Sequence, residues 1–103
     1  MSTMAIAWVR MLPGVNWDAE PSHFIDKVIE REPVTTSGTT ARSTVAPAGA
    51  DAAIVTAVDA ALIVVTGDVT VDAATTLGVD VALGAQAYFR VVAGETYVAG
   101  IEQ

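Results

Sequence analysis

Residues 61–72 read Ala61-Leu62-Ile63-Val64-Val65-Thr66-Gly67-Asp68-Val69-Thr70-Val71-Asp72. A run of β-branched residues favours a strand, and the valines that alternate with polar residues after it indicate a second strand with one apolar face. The Thr66-Gly67-Asp68 turn signal between the two segments is typical of a tight hairpin. This stretch therefore predicts two adjoining antiparallel strands.

The same signals recur through residues 51–103, where short Val-, Ile- and Thr-rich segments are separated by Gly and Asp. The predicted strands are Ala53–Thr56, Ala61–Thr66, Val69–Asp72, Val79–Leu83, Ala87–Val92 and Thr96–Ile101, with a second hairpin turn at Ala93-Gly94-Glu95. About six short strands at this spacing predict a mainly β fold, a small antiparallel sandwich or barrel. Tyr88 and Phe89 are adjacent, so we expect them on opposite faces of one strand, which argues against an aromatic platform.

Ahead of this β-domain, residues 1–33 are expected to form an N-terminal arm with one short helix. Asp18 is a suitable cap, Pro21 is tolerated in a first turn, and Pro33 ends the helical segment. The apolar stripe of the predicted helix consists of Phe24, Ile25, Val28 and Ile29. A helix this short needs a surface on which its stripe can lie.

Both tryptophans, Trp8 and Trp17, lie in this arm. They either dock on the chain's own β-domain or anchor the arm on a neighbouring subunit, because tryptophan is enriched at interface hot spots. The candidate interface residues are Trp8, Met11, Leu12, Trp17, Phe24, Ile25, Val28 and Ile29. Residues 34–50 are rich in Thr, Ser, Ala and Gly, which predicts a linker between the arm and the β-domain at 51–103.

The composition suggests a small core and an acidic surface. The chain has 103 residues, 52% of them hydrophobic and 6% aromatic, with a net charge of −7. Much of the apolar content is alanine and valine, which bury little area, so we expect oligomerisation to supply the remainder. The negative charge disfavours nucleic acid as a direct partner. No apolar run reaches the roughly 18 residues of a membrane-spanning helix, so no membrane partner is expected.

Residues that carry chemistry are sparse. His23 is the only histidine and there is no cysteine, which excludes a two-histidine or thiolate metal site within one chain. No serine lies in a Gly-x-Ser-x-Gly elbow. Asp68 and Asp72 are candidates for calcium binding or acid–base chemistry, but they lack the oxygen-rich loop spacing of a calcium site. We expect a protein that is not an enzyme and has no cofactor and no metal.

Two stretches carry a resemblance to a known class of proteins. Residues Asp59 to Val71 fit the strand-turn-strand pattern D-x-x-L-x-V-x-x-G-D-V-x-V, and Tyr88-Phe89-Arg90-Val91-Val92-Ala93-Gly94-Glu95 lies downstream of it. This half of the chain resembles small virion proteins of tailed bacteriophages and gene transfer agents, of the capsid-decoration or head-spike-base type. The resemblance implies a structural β-domain on a phage particle, assembled in the host cytoplasm.

The partners implied by this resemblance are identical subunits and other virion proteins, with the major capsid protein first among them. The resemblance transfers no functional residue, so the interface candidates above are derived from the sequence pattern alone. The alternative function is a non-catalytic β-sandwich binding module, either an adaptor or a domain for a carbohydrate or receptor.

Overall fold

The computed structural model describes residues 2–13, 21–71 and 78–103. These residues form two antiparallel four-stranded sheets. The strands are β1 (Ser2–Met11), β2 (Ile25–Thr36), β3 (Ala41–Arg42), β4 (Ala52–Ala57), β5 (Leu62–Gly67), β6 (Val79–Val81), β7 (Gln86–Arg90) and β8 (Tyr97–Glu102). Sheet A has the order β2-β1-β4-β7, and sheet B has the order β3-β8-β5-β6. This arrangement confirms the predicted mainly β, antiparallel fold.

The main core lies between the two sheets. From sheet A, β1 contributes the buried side chains of Met4, Ile6 and Trp8 at alternate positions, because successive side chains of a strand point to opposite faces. From sheet B, Leu62 and Val64 of β5 belong to the same buried cluster. The inner faces of both sheets are therefore apolar, as a sandwich requires.

Several connections pass from one sheet to the other. The chain crosses between β2 and β3, β3 and β4, β4 and β5, β6 and β7, and β7 and β8. The predicted turn at Ala93–Glu95 is present, and Gly94 adopts a positive φ of 79° there, which glycine accepts without steric strain. The hairpin assignment was wrong, because this turn joins β7 of sheet A to β8 of sheet B.

The predicted short helix in residues 18–33 is not seen among the described residues. Pro21–Phe24 form a single 3-10 turn, and Ile25–Thr36 form β2. The pairing of β1 with β2 shifts register between Trp8 and Val9 and again between Arg10 and Met11. Side chains on one face of a regular strand are two residues apart. The bulge between Ile25 and Val28 adds one residue, so these two side chains share a face although they are three residues apart, as on one face of a helix.

The predicted strand Val69–Asp72 was also wrong over its described residues. Val69 and Thr70 lie in a turn, and Val71 is outside any strand, whereas Asp72 is outside the described residues. Asp68 Oδ1 accepts hydrogen bonds from the Thr70 amide at 2.9 Å and the Thr70 hydroxyl at 2.6 Å. Such local bonds compete with strand pairing. The other five predicted strands agree with β4 to β8 to within about two residues at each end.

Residues expected in the arm and linker are part of the sandwich. Strand β1 lies between β2 and β4, so residues 2–11 and 25–36 are paired into the same sheet as residues 52–57. Within residues 34–50, Ala46 and Ala50 are buried in the main core. The described parts of residues 1–33 and 34–50 thus contribute strands and core residues rather than a detached arm.

Candidate functional site

A groove of about 410 Å³ lies on sheet A. We call it the outer groove, because it occupies the face turned away from sheet B. It is lined by Ala5, Ile6, Ala7, Ile25, Val28, Arg31, Glu32, Pro33, Ile54, Thr56, Gln86 and Tyr88. All four strands of sheet A therefore contribute to one surface feature.

The register of sheet A explains why this face is concave. Residues paired across the four strands form two rows at the groove. The first row is Pro33, Ala5, Thr56 and Gln86, and the second row is Arg31, Ala7, Ile54 and Tyr88. The alanines of the central strand β1 leave a trough, and the longer side chains of the edge strands β2 and β7 form its walls.

The groove adjoins a second buried apolar cluster on the same face. This outer cluster consists of Val9, Met11, Ala52 and Ile54, with Ala7, Phe24, Ile25 and Tyr88 partly buried against it. A two-layer sandwich needs each sheet to be apolar on its inner face only. Sheet A is apolar on both faces, but the outer cluster is already covered within this chain by side chains such as Phe24, Ile25 and Tyr88. The part of the outer face that stays accessible to another protein is the groove beside this cluster.

The polar groups of the groove lie on its β2 wall and along its β7 side, where Thr56 of β4 is next to Gln86. Gln86 Nε2 donates to Thr56 Oγ1 at 3.3 Å, so the side chains at that end of the first row hydrogen-bond each other. Arg31 is exposed on the β2 wall, next to Glu32. The floor therefore favours an apolar side chain of a partner, while the β2 wall offers a guanidinium group to a carboxylate.

Glu32 links this wall to the core and to the segment after β3. Its carboxylate accepts hydrogen bonds from Trp8 Nε1 at 3.2 Å, from the Thr44 amide at 2.9 Å and from Thr44 Oγ1 at 2.8 Å. Hydrogen bonds to charged groups each contribute about 1.5–3 kcal/mol, and the loss of an acceptor leaves a part-buried donor unpaired.

Replacing Glu32 by alanine is expected to lower the free energy of unfolding by about 2 kcal/mol. The loss comes mainly from the part-buried Trp8 Nε1, which loses its acceptor, because the exposed donors of Thr44 can bond to water instead. Denaturant unfolding monitored by far-ultraviolet circular dichroism measures this loss. Glu30→Ala is the matched control, because Glu30 is an exposed glutamate on the same strand, and its change should stay within about 0.5 kcal/mol. Equal losses in the two variants would contradict this role of Glu32.

The structure distributes the predicted interface residues over two faces of sheet A. Trp8 is buried in the main core, and Ile29 is partly buried against that core. Met11, Phe24 and Ile25 belong to the outer cluster. Trp8 therefore packs within this chain, as the first of the two interpretations of the arm expected.

The remaining predicted interface residues are more exposed or lie elsewhere. Val28 lines the outer groove and is 43% exposed. Leu12 is 40% exposed, and its amide donates to the Phe24 carbonyl at 2.7 Å. Trp17 lies outside the described residues. The groove residues that were not among the predicted interface residues are Ala5, Ile6, Ala7, Arg31, Glu32, Pro33, Ile54, Thr56, Gln86 and Tyr88.

Of the two carboxylates considered for metal binding or acid–base chemistry, the structure describes only Asp68. No group of three or more His, Asp or Glu side chains in the described part of the chain is placed to hold a metal ion. The two hydrogen bonds from Thr70, first from its hydroxyl and then from its amide, lower the pKa of Asp68 below its ordinary value. Asp68 is thus engaged in a turn of its own, and Asp72 is outside the described residues.

Comparison of the chain with family models, with curated proteins and with solved structures found no match.

Two further observations concern the adjacent aromatic residues of β7 and membrane-spanning helices. Tyr88 lies in the outer groove and Phe89 packs against the main core, which confirms that these neighbouring aromatic residues point to opposite faces. No helix formed by the described residues is long and apolar enough to cross a membrane.

Proposed function

We propose that this chain is a non-catalytic structural subunit of a bacteriophage virion, of the capsid-decoration or head-spike type. It attaches to another virion protein, the major capsid protein first of all, through the outer groove of sheet A. Assembly takes place in the host cytoplasm, and the assembled protein resides in the virion. The resemblance of residues 59–71 and 88–95 to small virion proteins supports this class.

The observation that carries the proposal is the apolar outer face of sheet A. Val9, Met11, Ala52 and Ile54 are buried on this face, although it is turned away from the other sheet. The groove beside them exposes Val28 above a floor of alanine side chains. The accessible part of this face is therefore an apolar groove bordered by polar side chains, a composition typical of a protein-interaction surface.

The charge of the chain restricts the partner. Twelve acidic residues stand against five basic ones, so a polyanion is repelled over most of the surface. Arg31 places one of the few positive charges on the β2 wall of the groove. The partner surface that fits the groove is an apolar ridge with an acidic residue beside it. The net negative charge of the chain disfavours packaged nucleic acid as the binding partner.

Replacing Val28 by glutamate is expected to lower the occupancy of the protein on its particle at least about tenfold, because the substitution puts a charge at the apolar docking surface. The measurement mixes the purified chain with gene-deleted particles of the phage that encodes it and quantifies the bound protein after co-sedimentation. Wild-type protein should restore normal occupancy.

The matched control is Val79→Glu. Val79 is 52% exposed on the edge strand β6 of sheet B, so the same substitution adds the same charge at a similarly exposed valine that is not part of the outer groove. We expect Val79→Glu to bind like wild type. Wild-type binding by Val28→Glu, equal losses in both variants, or a gene that lies outside any phage genome would each contradict the proposal.

A carbohydrate- or receptor-binding module is the second candidate, favoured by the tyrosine and the polar side chains of the groove. Tyr88, Gln86 and Thr56 lie together on its β7 side, where an aromatic ring and hydrogen-bonding groups are placed to contact a sugar. Binding of glycans to the isolated chain, lost in Tyr88→Ala and retained in Val79→Glu, would favour this function over attachment to a particle.

A further inference from the structure

The four edge strands of the two sheets differ in how well they are protected against pairing with another chain. The edge strands β3 and β6 of sheet B have only two and three residues. The long edge strand β2 of sheet A carries five charged residues between Asp26 and Glu32, followed by Pro33. Short length, charge and proline are the features by which natural sheets block edge pairing.

Strand β7, the other edge of sheet A, has none of these features along most of its length. Its sequence is Gln86-Ala87-Tyr88-Phe89-Arg90, with no proline and one charged residue at its end. Among the described strands, only β4 pairs with it. A five-residue edge of this composition is suited to accept a further strand.

The hydrogen bonds that flank the β4–β7 ladder show which backbone groups point outward. The Val91 amide donates to the Asp51 carbonyl at 3.0 Å, and the Ala57 amide donates to the Ala85 carbonyl at 3.2 Å. Odd-numbered residues of β7 therefore bond to β4, since bonded and non-bonded pairs alternate in an antiparallel ladder. The N–H and C=O groups of Gln86 and Tyr88 point away from β4, toward the edge.

We propose that a second copy of this chain pairs with the β7 edge, antiparallel and centred on Tyr88. A two-fold axis through the Tyr88 pair brings together two residues whose backbone groups both point outward, so they exchange N–H···O bonds. In this register Arg90 lies opposite Gln86 of the second copy, and no like charges meet across the junction. The same pairing along β2 would have to accommodate five charged residues and Pro33 from each copy.

The dimer extends sheet A to eight strands and keeps its two outer grooves on one side. A two-fold axis between antiparallel strands is perpendicular to the sheet, so both outer faces point in the same direction. Two linked docking surfaces bind a repetitive partner more tightly than one. The pairing depends on the backbone and sequence of β7, and it does not require the groove to bind a virion protein.

Salt should strengthen this dimer. Each chain carries a net charge of −7, so two copies repel each other at long range, and added salt screens that repulsion. An interface held by ion pairs would respond in the opposite direction. Sedimentation velocity of the wild-type chain at several protein and salt concentrations measures both the dimer and the sign of its salt dependence.

The deciding experiment compares Tyr88→Pro with Tyr88→Ala. Both variants remove the tyrosine side chain from the groove, but only proline removes the outward N–H, and proline is tolerated on an edge strand where the N–H does not bond within the sheet. We expect Tyr88→Ala to dimerise and Tyr88→Pro to raise the dimer Kd at least about tenfold, with an unchanged circular dichroism spectrum. Dimerisation of Tyr88→Pro at the wild-type Kd would overturn the proposal.

Hydrogen exchange of the wild-type chain provides a test that needs no variant. Protection of the Tyr88 amide should rise with protein concentration, while the Ala87 and Phe89 amides, which bond to β4, stay protected throughout. A monomer at every concentration, an oligomer larger than a dimer, or a dimer with unchanged exchange at Tyr88 would each overturn the β7 pairing. The particle-binding test with Val28→Glu separates this result from the proposed function, because Val28 lies on β2 at the opposite edge of the sheet.

Discussion

Replacing Trp8 by alanine is expected to lower the free energy of unfolding by about 3–5 kcal/mol, which is a large part of the roughly 5–15 kcal/mol that stabilises a domain. Among the described residues, Trp8 is the largest side chain that is fully buried, and it lies on β1 between β2 and β4. The substitution removes its indole ring from the main core and also removes the donor to Glu32. Denaturant unfolding at constant temperature measures the effect.

Trp8→Phe keeps the test informative if the alanine variant does not fold. Phenylalanine retains much of the apolar volume but lacks the Nε1 donor, so we expect a loss of about 1–2 kcal/mol. Val79→Ala is the control, since Val79 is half-exposed and its truncation should change stability by less than about 0.5 kcal/mol. If Trp8→Ala unfolded at the wild-type denaturant concentration, Trp8 would not be the centre of the core.

The second large effect is expected for Gly100→Ala, which should destabilise the fold by about 1–3 kcal/mol through overpacking. A Cβ atom at Gly100 would lie 2.7 Å from Met4 Sδ and 3.2 Å from Met4 Cε. Gly100 is on β8 of sheet B and Met4 is on β1 of sheet A, so the two sheets approach closely at this point. Met4 is fully buried, and its displaced sulfur must enter a packed core. Thermal and denaturant unfolding measure the loss.

Two further variants test this explanation. Gly38→Ala is the matched control, because no heavy atom lies within 4 Å of a Cβ at Gly38, and its stability should change by less than about 0.5 kcal/mol. Met4→Leu combined with Gly100→Ala should recover part of the loss, since leucine is shorter than methionine, with a coupling energy of about 0.5 kcal/mol or more. An additive double variant would refute the contact between the two sheets as the cause.

The strands of residues 51–103 could be predicted because their β-branched runs are separated by glycine and aspartate. Runs such as Leu62–Gly67 carry enough valine and isoleucine to favour a strand without knowledge of their partners. The β-branched runs do not indicate which strands pair with each other. The turn around Gly94 was visible in the sequence, whereas its role as a link between two sheets depends on pairings formed elsewhere in the chain.

Strand β1 was not predicted because large and small apolar residues alternate along it, whereas the usual strand pattern is an alternation of apolar and polar residues. Met4-Ala5-Ile6-Ala7-Trp8 places large side chains in the main core and alanines on the outer face, so an ordinary apolar–polar pattern is absent. A period-two search that weighs side-chain volume would have detected this strand. The same alternation produces the floor of the groove.

The composition of the groove depends on register, which a single sequence does not specify. Ala7, Ile54 and Tyr88 come from three strands and meet only because β1, β4 and β7 pair as they do. Ile25 and Val28 could be selected as apolar contact residues, although the helix expected to present them is absent. The register shift in β2 places both of them on the outer face instead.

The central place of β1 also bears on how the chain folds during synthesis. Its partner β4 ends 21 residues after β2 does, a delay of about one to four seconds at a typical translation rate. Through this interval β1 and β2 can pair only with each other, as a ribbon with apolar residues on both sides. The charged residues and Pro33 of β2 then act as gatekeepers that hinder aggregation of the nascent ribbon before the sandwich closes.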